Sequence, residues 1–372
     1  MFKGVDMLAE KTASRITLTE KCLLGIVLAL FVMLAVSMAM PTQAHAAKRW
    51  IDYIETAKGA TFDNSDNLNA LEYTVHPSGD KSGRVDHVGL GMVMGKCTTY
   101  HQKWNHRGKA VVVNLVPGKT YYISTTLKLY DNVTINANGA TVKQVTNGKS
   151  VFINALYKDS TDNTGSKKKI GGYKRCSNIT INGGTYITTG KRSNDVKWSK
   201  GGWAGGYSSF LFMHGNKIKI SGVTIKNNYN GHYIEFAGVK NSKIENCTFT
   251  GKYVGDSTNE VVQLDTAYNS SVSPQGAPWD GTCCKNITIT GCKFNVPKMP
   301  VGVGTNYACK KKSSKITVTG NTFKVKKYAL AFYKCKGVVA KDNKFKKGKV
   351  YIHSTAKSVK LGKAEKKAKK KK

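Results

Sequence analysis

The sequence predicts an all-β protein, a single-domain right-handed parallel β-helix with a non-repeating N-terminal cap. The first indication is a short recurring motif that alternates apolar and polar residues, because such a motif forms a strand with one buried face. The second is its spacing, since successive copies begin 22 to 29 residues apart, or 39 to 46 where a longer connection intervenes. The third is the Gly or Asn that follows most copies, because these residues adopt the positive φ of tight turns. The copies occupy residues 132–135, 178–181, 217–220, 242–244, 286–289, 315–318 and 337–340.

Stacking of successive coils explains how such short strands bury a core. No single strand closes a sheet, but coils laid one upon another bury a continuous apolar interior. Alignment of the motifs places Val223, Cys247, Cys292, Asn321 and Asn343 at one position on successive coils, about 4.8 Å apart. The Asn residues in this column predict a hydrogen-bonded ladder. Cys247 over Cys292 is either a disulfide or a pair of stacked thiols, and we favour thiols because free Cys packs well in cores.

The predicted elements follow one another in a simple order. Residues 1–47 combine a basic segment, an apolar run at residues 23–40 and the cleavage site Ala44-His45-Ala46. They predict a signal peptide, and hence a secreted or cell-surface protein; the alternative is an uncleaved membrane anchor, since the apolar run is long enough to span a bilayer. Residues 48–110 do not repeat and predict a cap over the first coil. Residues 111–356 are assigned to the β-helix and residues 357–372 to a Lys-rich tail.

The chain is strongly basic, with a formal net charge of +37. The excess is concentrated at the C-terminus, where residues 301–372 carry 23 Lys against Asp342 and Glu365. This distribution predicts that the tail binds a polyanion such as an anionic cell-wall polymer, with a merely solubilising surface as the alternative. No nucleic-acid partner is expected for an exported chain, and a monomer is expected. No Cys or His spacing is typical of a zinc site, so no metal site is predicted.

Three segments of the first coils resemble a known family. Residues 113–123, 127–135 and 139–142 read VNLVPGKTYYI, LKLYDNVTI and GATV. They are similar to the opening coils of secreted proteins of the pectate-lyase-like right-handed β-helix superfamily, and the resemblance covers about two thirds of the chain. It implies a protein that acts on a polysaccharide or binds one, because this superfamily includes lyases, hydrolases, epimerases and non-catalytic binders. Its lyases hold calcium through carboxylates and use Arg or Lys as the base. We match no such base here, so calcium is expected only if the chain is a lyase.

The strands that precede the recurring motif carry the candidate site. When they are aligned, their second and fourth residues point outward, because side chains alternate across a strand. The outward strip then carries Glu235, Gln263 and Asp265 on two adjacent coils of an otherwise basic chain. On the next coil it carries Gly302 and Gly304, which we expect to leave an open floor beside the carboxylates.

We predict that Glu235, Gln263 and Asp265 are catalytic, with one carboxyl as acid and the other as base. The Cα atoms of Glu235 and Asp265 should lie about 8 Å apart, and their carboxyl groups about 5 to 9 Å apart, as glycosidase chemistry requires. The predicted substrate-binding residues are His232, Glu260, Trp203, Tyr207, Trp279, Asp280 and Tyr333. For Asp280 the alternative interpretation is a turn residue. The function predicted is cleavage of a polysaccharide by hydrolysis or elimination, and the alternative is a non-catalytic surface polysaccharide-binding protein or adhesin.

Overall fold

The fold is the right-handed parallel β-helix that the sequence predicts. The computed structural model describes residues 49–56, 71–97, 109–155, 171–189, 208–228, 231–253, 260–269, 278–306 and 311–370. The predicted signal peptide, residues 1–47, lies outside this part of the chain. Within it, no helix is long and apolar enough to cross a membrane.

The described residues form 25 strands and two α-helices, with a 3-10 turn at Trp50–Tyr53 and a π-helical turn at Met92–Cys97. The helices are α1 (Arg84–Gly91) and α2 (Lys363–Lys370). The strands of the cap and the first coils are β1 (Ile54–Thr56), β2 (Glu72–Val75), β3 (Val111–Leu115), β4 (Thr120–Ile123), β5 (Leu127–Leu129), β6 (Val133–Asn136), β7 (Thr141–Gln144) and β8 (Phe152–Asn154). The middle coils contain β9 (Ile179–Asn182), β10 (Thr185–Ile187), β11 (Phe210–Met213), β12 (Ile218–Ser221), β13 (Thr224–Lys226), β14 (Ile234–Ala237), β15 (Lys240–Glu245), β16 (Thr248–Thr250) and β17 (Glu260–Asp265). The last coils contain β18 (Lys285–Thr290), β19 (Lys293–Val296), β20 (Val301–Thr305), β21 (Ser313–Thr319), β22 (Thr322–Phe332), β23 (Cys335–Lys341), β24 (Lys344–Ile352) and β25 (Lys357–Leu361).

Each full coil contributes strands to three faces. The first face is an eleven-stranded sheet in the order β1-β2-β3-β6-β9-β12-β15-β18-β21-β23-β25. The second face contains β4, β7, β10, β13, β16 and β19, and the third contains β5, β8, β11, β14, β17 and β20. Near the C-terminus, β22 and β24 are long enough to run along both the second and third faces, which joins these two faces into one sheet.

Aromatic residues that stack from coil to coil fill much of the interior. The rings of Phe249, Phe294, Phe323 and Phe345 form one column on the second face, with neighbouring ring centroids 4.9, 4.5 and 5.8 Å apart. Each Phe lies directly opposite the next in the register of the parallel strands. Identical positions on successive coils therefore become packing neighbours, as the recurring motif predicts.

A second column runs through the turn between the first and second faces, and it matches the predicted ladder. Cys292 Sγ accepts a hydrogen bond from the backbone N–H of Cys247 at 3.4 Å, and both thiols are free, as favoured from the sequence. The Asn321 carboxamide accepts from the N–H of Cys292, and the Asn343 carboxamide accepts from the N–H of Asn321. The sequence did not reveal the last rung, Glu365, which accepts from the N–H of Asn343 at 2.9 Å. Each rung thus satisfies a buried donor of the coil before it.

The N-terminal cap also provides hydrogen-bond acceptors for backbone donors, in this case at the first coil. Strand β1 pairs with β2 antiparallel, and β2 pairs with β3 parallel, so the first face extends into the cap. In helix α1 the buried carboxylate of Asp86 accepts hydrogen bonds from the backbone N–H of Tyr122 and of Ser78, each at 2.8 Å. Because Tyr122 belongs to the exposed edge strand β4, the cap supplies an acceptor that the edge would otherwise lack.

The structure corrects the predicted tail. Residues 357–361 form the last strand of the first face, with Val359 beside Val338 and Leu361 beside Ala340. Helix α2 follows and is held against the last coil by Glu365, which is fully buried. The Lys-rich composition hides this order, because most residues between the buried ones are Lys. The β-helix therefore continues past residue 356, and only residues 371–372 lie outside the described part of this end.

Candidate functional site

The third face holds the predicted catalytic residues on β14 and β17. Glu235 lies directly beside Gln263, and Asp265 lies two residues further along the same outward row. The predicted alignment of β20 is wrong by two residues, because Gly304 and not Gly302 lies beside Gln263.

The two glycines do not leave an open floor. A Cβ atom at Gly304 would lie 2.6 Å from Cγ of Glu260, so the Glu260 side chain occupies the space that this glycine leaves. A Cβ atom at Gly302 would lie 2.8 Å from the ring of Phe323, so Gly302 faces the core. The prediction of an open floor is therefore wrong.

The outward residues of β14 and β17 are buried, where the sequence predicted an exposed groove. Glu235 is 4% exposed, Gln263 is 6% exposed and Asp265 is fully buried. Glu260, at the start of β17, is 7% exposed. These carboxyl groups are thus nearly closed to solvent, and their catalytic role stays a prediction.

Burial also changes the charge of the cluster. It raises the pKa of Glu235 to about 8, opposed by a hydrogen bond that Ser208 Oγ donates to the carboxylate at 2.5 Å. Burial, helped by the charge of Glu235, raises the pKa of Glu260 to about 8 as well. The pKa of Asp265 is raised first by burial and then by both glutamates, while Asn306 favours its ionised form. At neutral pH the carboxyl groups of Glu235 and Glu260 are mostly protonated, because burial penalises the charged form.

His232 lies against the same cluster. Its Nδ1 is 2.8 Å from the backbone carbonyl oxygen of Glu260 and 3.5 Å from the Glu260 carboxylate. Burial lowers the pKa of His232 to about 4, although the contact with that carbonyl oxygen acts in the other direction. At neutral pH a neutral imidazole therefore lies beside the mostly protonated carboxyl group of Glu260.

A clasp between residues 171–173 and 278–282 borders this face. The two ring nitrogens of buried His214 contact the carbonyl oxygens of Gly172 and Pro278, at 2.7 and 2.8 Å. Asp280 accepts hydrogen bonds from the backbone N–H of Gly172 and from both the N–H and the hydroxyl of Thr282. Burial alone would raise the pKa of Asp280, but these hydrogen bonds outweigh it and lower the pKa. These contacts are those of a turn residue, as in the alternative interpretation, and a substrate-binding role for Asp280 stays a prediction.

The neighbouring Trp279 is 44% exposed, which is high for a large apolar side chain. Trp279 directly precedes Asp280 in the clasp, and its predicted role in substrate binding stays a prediction. Trp203 and Tyr207, the other predicted rim aromatics, lie outside the described residues.

Half-buried aromatic residues form a surface cluster at the C-terminal end of the third face. The ring of Tyr333 lies 5.5 Å from that of Tyr351 and 5.3 Å from that of His353, and Tyr351 lies 5.1 Å from Tyr328. The ammonium of Lys327 lies 5.0 Å from the centroid of the Tyr328 ring. We call these four rings the aromatic cluster. The sequence predicted only Tyr333 of its members, although Tyr351 and His353 also lie on the aligned outward strip.

The aromatic cluster adjoins the buried carboxyl groups. Burial raises the pKa of Tyr333, and the charges of Tyr351, Tyr328 and Glu260 add to the effect. In the described ranges, no group of three or more His, Cys, Asp or Glu side chains is arranged to hold a metal ion, and no calcium site is assigned to the buried carboxyl groups.

Comparison with curated proteins gives a distant relative. No family model matches the chain. It is 25% identical over 237 residues to plasmin and fibronectin-binding protein A of Streptococcus pneumoniae, a match that covers 60% of this chain and 32% of that protein. The chain thus spans about a third of the length of this curated relative.

Two solved structures that align with the chain are an adhesin and a module of an epimerase. A crystal structure of PfbA, a surface adhesin of Streptococcus pneumoniae, aligns with a TM-score of 0.51 at 20% identity, over 74% of this chain and 62% of that one. The A-module of the mannuronan C-5 epimerase AlgE4 of Azotobacter vinelandii aligns with a TM-score of 0.32 at 12% identity, over 69% and 74% of the two chains. The likeness to the adhesin confirms the parallel β-helix, whereas membership of the pectate-lyase-like superfamily stays a prediction.

Proposed function

We propose that this chain is a non-catalytic, cell-surface polysaccharide-binding protein of the adhesin type, exported by residues 1–47. The proposal rests on one observation, the difference in exposure between the carboxyl groups and the aromatic rings of the third face. The carboxyl groups of Glu235 and Asp265, which a cleaving enzyme would need, are buried. The aromatic cluster beside them is half exposed, and sugar rings pack their apolar faces against such rings.

The similarity to a plasmin and fibronectin-binding protein and to a surface adhesin supports this choice. The first name describes a protein that binds plasmin and fibronectin, and the second describes a surface adhesin. The proposal takes from them a surface location and a binding function, and it takes the polysaccharide from the chemistry of the third face. Monomeric binding is expected, because a solenoid presents a long surface without a partner.

Cleavage is the second candidate function, and one observation favours it. The pKa values of Glu235 and Glu260 are raised to about 8 by burial, and a general acid needs a carboxyl group that is protonated at neutral pH. For this function the carboxyl groups of Glu235 and Glu260 would have to become accessible to the polymer.

Incubation with a panel of polysaccharides decides between the two functions. Binding predicts retention on one or more polymers, with neither new reducing ends nor new ultraviolet absorbance from unsaturated uronates. New reducing ends or unsaturated products that disappear in Glu235→Gln would instead establish cleavage.

Substitution of the aromatic cluster tests the surface itself. The double substitution Tyr333→Ala and Tyr351→Ala should weaken retention by at least tenfold, because each aromatic contact contributes about 1 kcal/mol. Tyr122→Ala is a matched control, since Tyr122 is also partly exposed but lies on the second face in the first coil. Equal retention by the double variant and the wild type would refute the aromatic cluster as the binding surface.

A further inference from the structure

A cleft lined by lysines lies between helix α2 and strand β24. Its volume is about 530 Å³, which is the size of pocket that holds a small ligand or a short polymer segment. None of its described lining residues is acidic. The lining residues are Asn343, Lys344, Phe345, Lys346, Lys347, Gly348, Lys349, Ala364, Lys367 and Ala368.

The wall formed by helix α2 is fixed in place by buried contacts. Glu365 is fully buried and accepts hydrogen bonds from the backbone N–H of Asn343 at 2.9 Å and from its side-chain amide at 2.8 Å. Ala368, one turn further along, is 6% exposed and joins the core. This docking sets the side chain of Lys367 opposite the lysines of β24, so the charged cleft is a fixed feature of the fold.

The charges of the cleft are not neutralised within the described part of the chain. The lysine ion pairs there join Lys219 and Lys243 to Glu245, which lies on the first face many coils away. The five cleft lysines are all exposed, and no carboxylate of a described residue forms an ion pair with them. Like charges held this close raise the local potential, which an anionic ligand would relieve.

We propose that this cleft binds a segment of an anionic glycan that carries carboxylate or sulfate groups. Lysine ammoniums are compact point charges on flexible stems, and they suit anionic groups spaced along a sugar chain. The cleft contains no Arg, and its one aromatic, Phe345, is half-buried and stacked on Phe323 with the centroids 5.8 Å apart. Single-stranded nucleic acid is recognised through free aromatic faces as well as charge, so the cleft favours a glycan.

This inference deepens the proposed function by naming acidic polysaccharides as its ligand class. The cleft and the aromatic cluster are built on the same strands, since Tyr328 of β22 lies beside Lys349 of β24. A polymer bound at the aromatic cluster has the cleft within reach further along β24.

The test is a triple variant, Lys346→Gln, Lys347→Gln and Lys367→Gln, assayed for affinity to heparin, polygalacturonate, dextran and a DNA duplex at low salt. Three lost charge contacts should weaken binding to heparin or polygalacturonate by about tenfold to a hundredfold, with dextran unaffected. The control carries Lys119→Gln, Lys128→Gln and Lys149→Gln, which remove the same charge from exposed sites in the first coils and should change affinity by less than about threefold.

Each outcome decides the inference. Selective loss of acidic glycans in the cleft variant supports it, whether or not the tyrosine variants described above alter binding. Equal loss in the cleft variant and the control would overturn it, because the net charge of the protein would then explain the affinity. Tighter binding of the DNA duplex than of either acidic glycan at matched salt would overturn the choice of a glycan. If the cleft variant loses binding to acidic glycans while the tyrosine variant still binds every polymer, the cleft is supported as a binding site and the aromatic cluster is refuted as one.

Discussion

Replacing Glu235 by Gln tests whether the third face is sealed from water. Burial raises the pKa of Glu235 from its ordinary value of 4.5 to about 8. Between these values the folded protein holds a proton that the unfolded chain has released, so stability rises as the pH falls. Gln has almost the same shape and no proton to release, and the variant should lack this dependence.

The size of the change in the free energy of unfolding follows from the pKa shift of Glu235. Stability from the protonated carboxyl is fully present below pH 4.5 and is lost as the pH rises through about 8. Each pH unit in this window contributes about 1.4 kcal/mol per proton. Lowering the pH from about 8 to about 6.5 should therefore stabilise the wild type relative to Glu235→Gln by roughly 2 kcal/mol. The variant should accordingly be the more stable of the two at the higher pH.

Urea unfolding followed by circular dichroism at constant ionic strength measures this difference through the shift of the midpoint. Glu245→Gln provides a control of opposite sign. Hydrogen bonding by Lys243, with a further contribution from Lys219, lowers the pKa of Glu245, although its partial burial opposes the shift. Its stabilisation is present above pH 4.5 and is lost as the pH falls below this value, and it is small because the ion pairs are near the surface.

A constant difference between wild type and Glu235→Gln across this pH range would refute the reasoning. Solvent would then reach the carboxyl group in the folded protein, and the pKa of Glu235 would be close to its ordinary value. The main objection to cleavage at this face would disappear with it.

Three further substitutions test the framework of the fold. Glu365→Ala should lower the free energy of unfolding by about 2 to 4 kcal/mol, because the two Asn343 donors lose their acceptor. Glu365→Gln keeps an oxygen there and should lower it by less than about 1 kcal/mol. Thermal melting compares the two variants, and equal losses of stability would contradict the ladder. Phe294→Ala should destabilise the protein by about 3 to 5 kcal/mol in urea, since it empties the middle of the aromatic column, and a loss below about 1 kcal/mol would contradict that packing. His214→Ala removes both carbonyl contacts of the clasp and should speed proteolysis within residues 278–284, with an unchanged rate as the contrary result.

The sequence predicts the coil register well where side chains reveal which face is buried. Ile234 and Val262 are apolar and point inward, so the strands that carry them align correctly. The alignment fails at β20 because a shift of two residues leaves the strand with the same alternation of Val and Gly. Gly302 and Gly304 carry no side chain that could distinguish the two alignments.

Burial of the outward strip could not be predicted from alternation. Alternation tells which side chains leave the coil, but it says nothing about what packs over them afterwards. The described border of the third face includes Gly172 and Pro278, which are far apart in the sequence and are brought together by His214 and Asp280. Local pattern therefore predicts the faces of the solenoid, and long-range packing decides which part of each face is accessible.

The net charge depends on both the buried carboxyl groups and the stacked lysines. The formal charge of +37 counts Glu235 and Glu260 as ionised, but burial keeps both mostly protonated at neutral pH, so the effective charge is higher still. The lysines are also stacked, with Lys324 directly beside Lys347 in the register of β22 and β24, and like charges about 4.8 Å apart destabilise neighbouring strands. A bound polyanion would remove this repulsion from the folded protein alone. Heparin should therefore raise the melting temperature of the wild type, and it should do so less in the cleft variant, because a ligand stabilises the state that binds it.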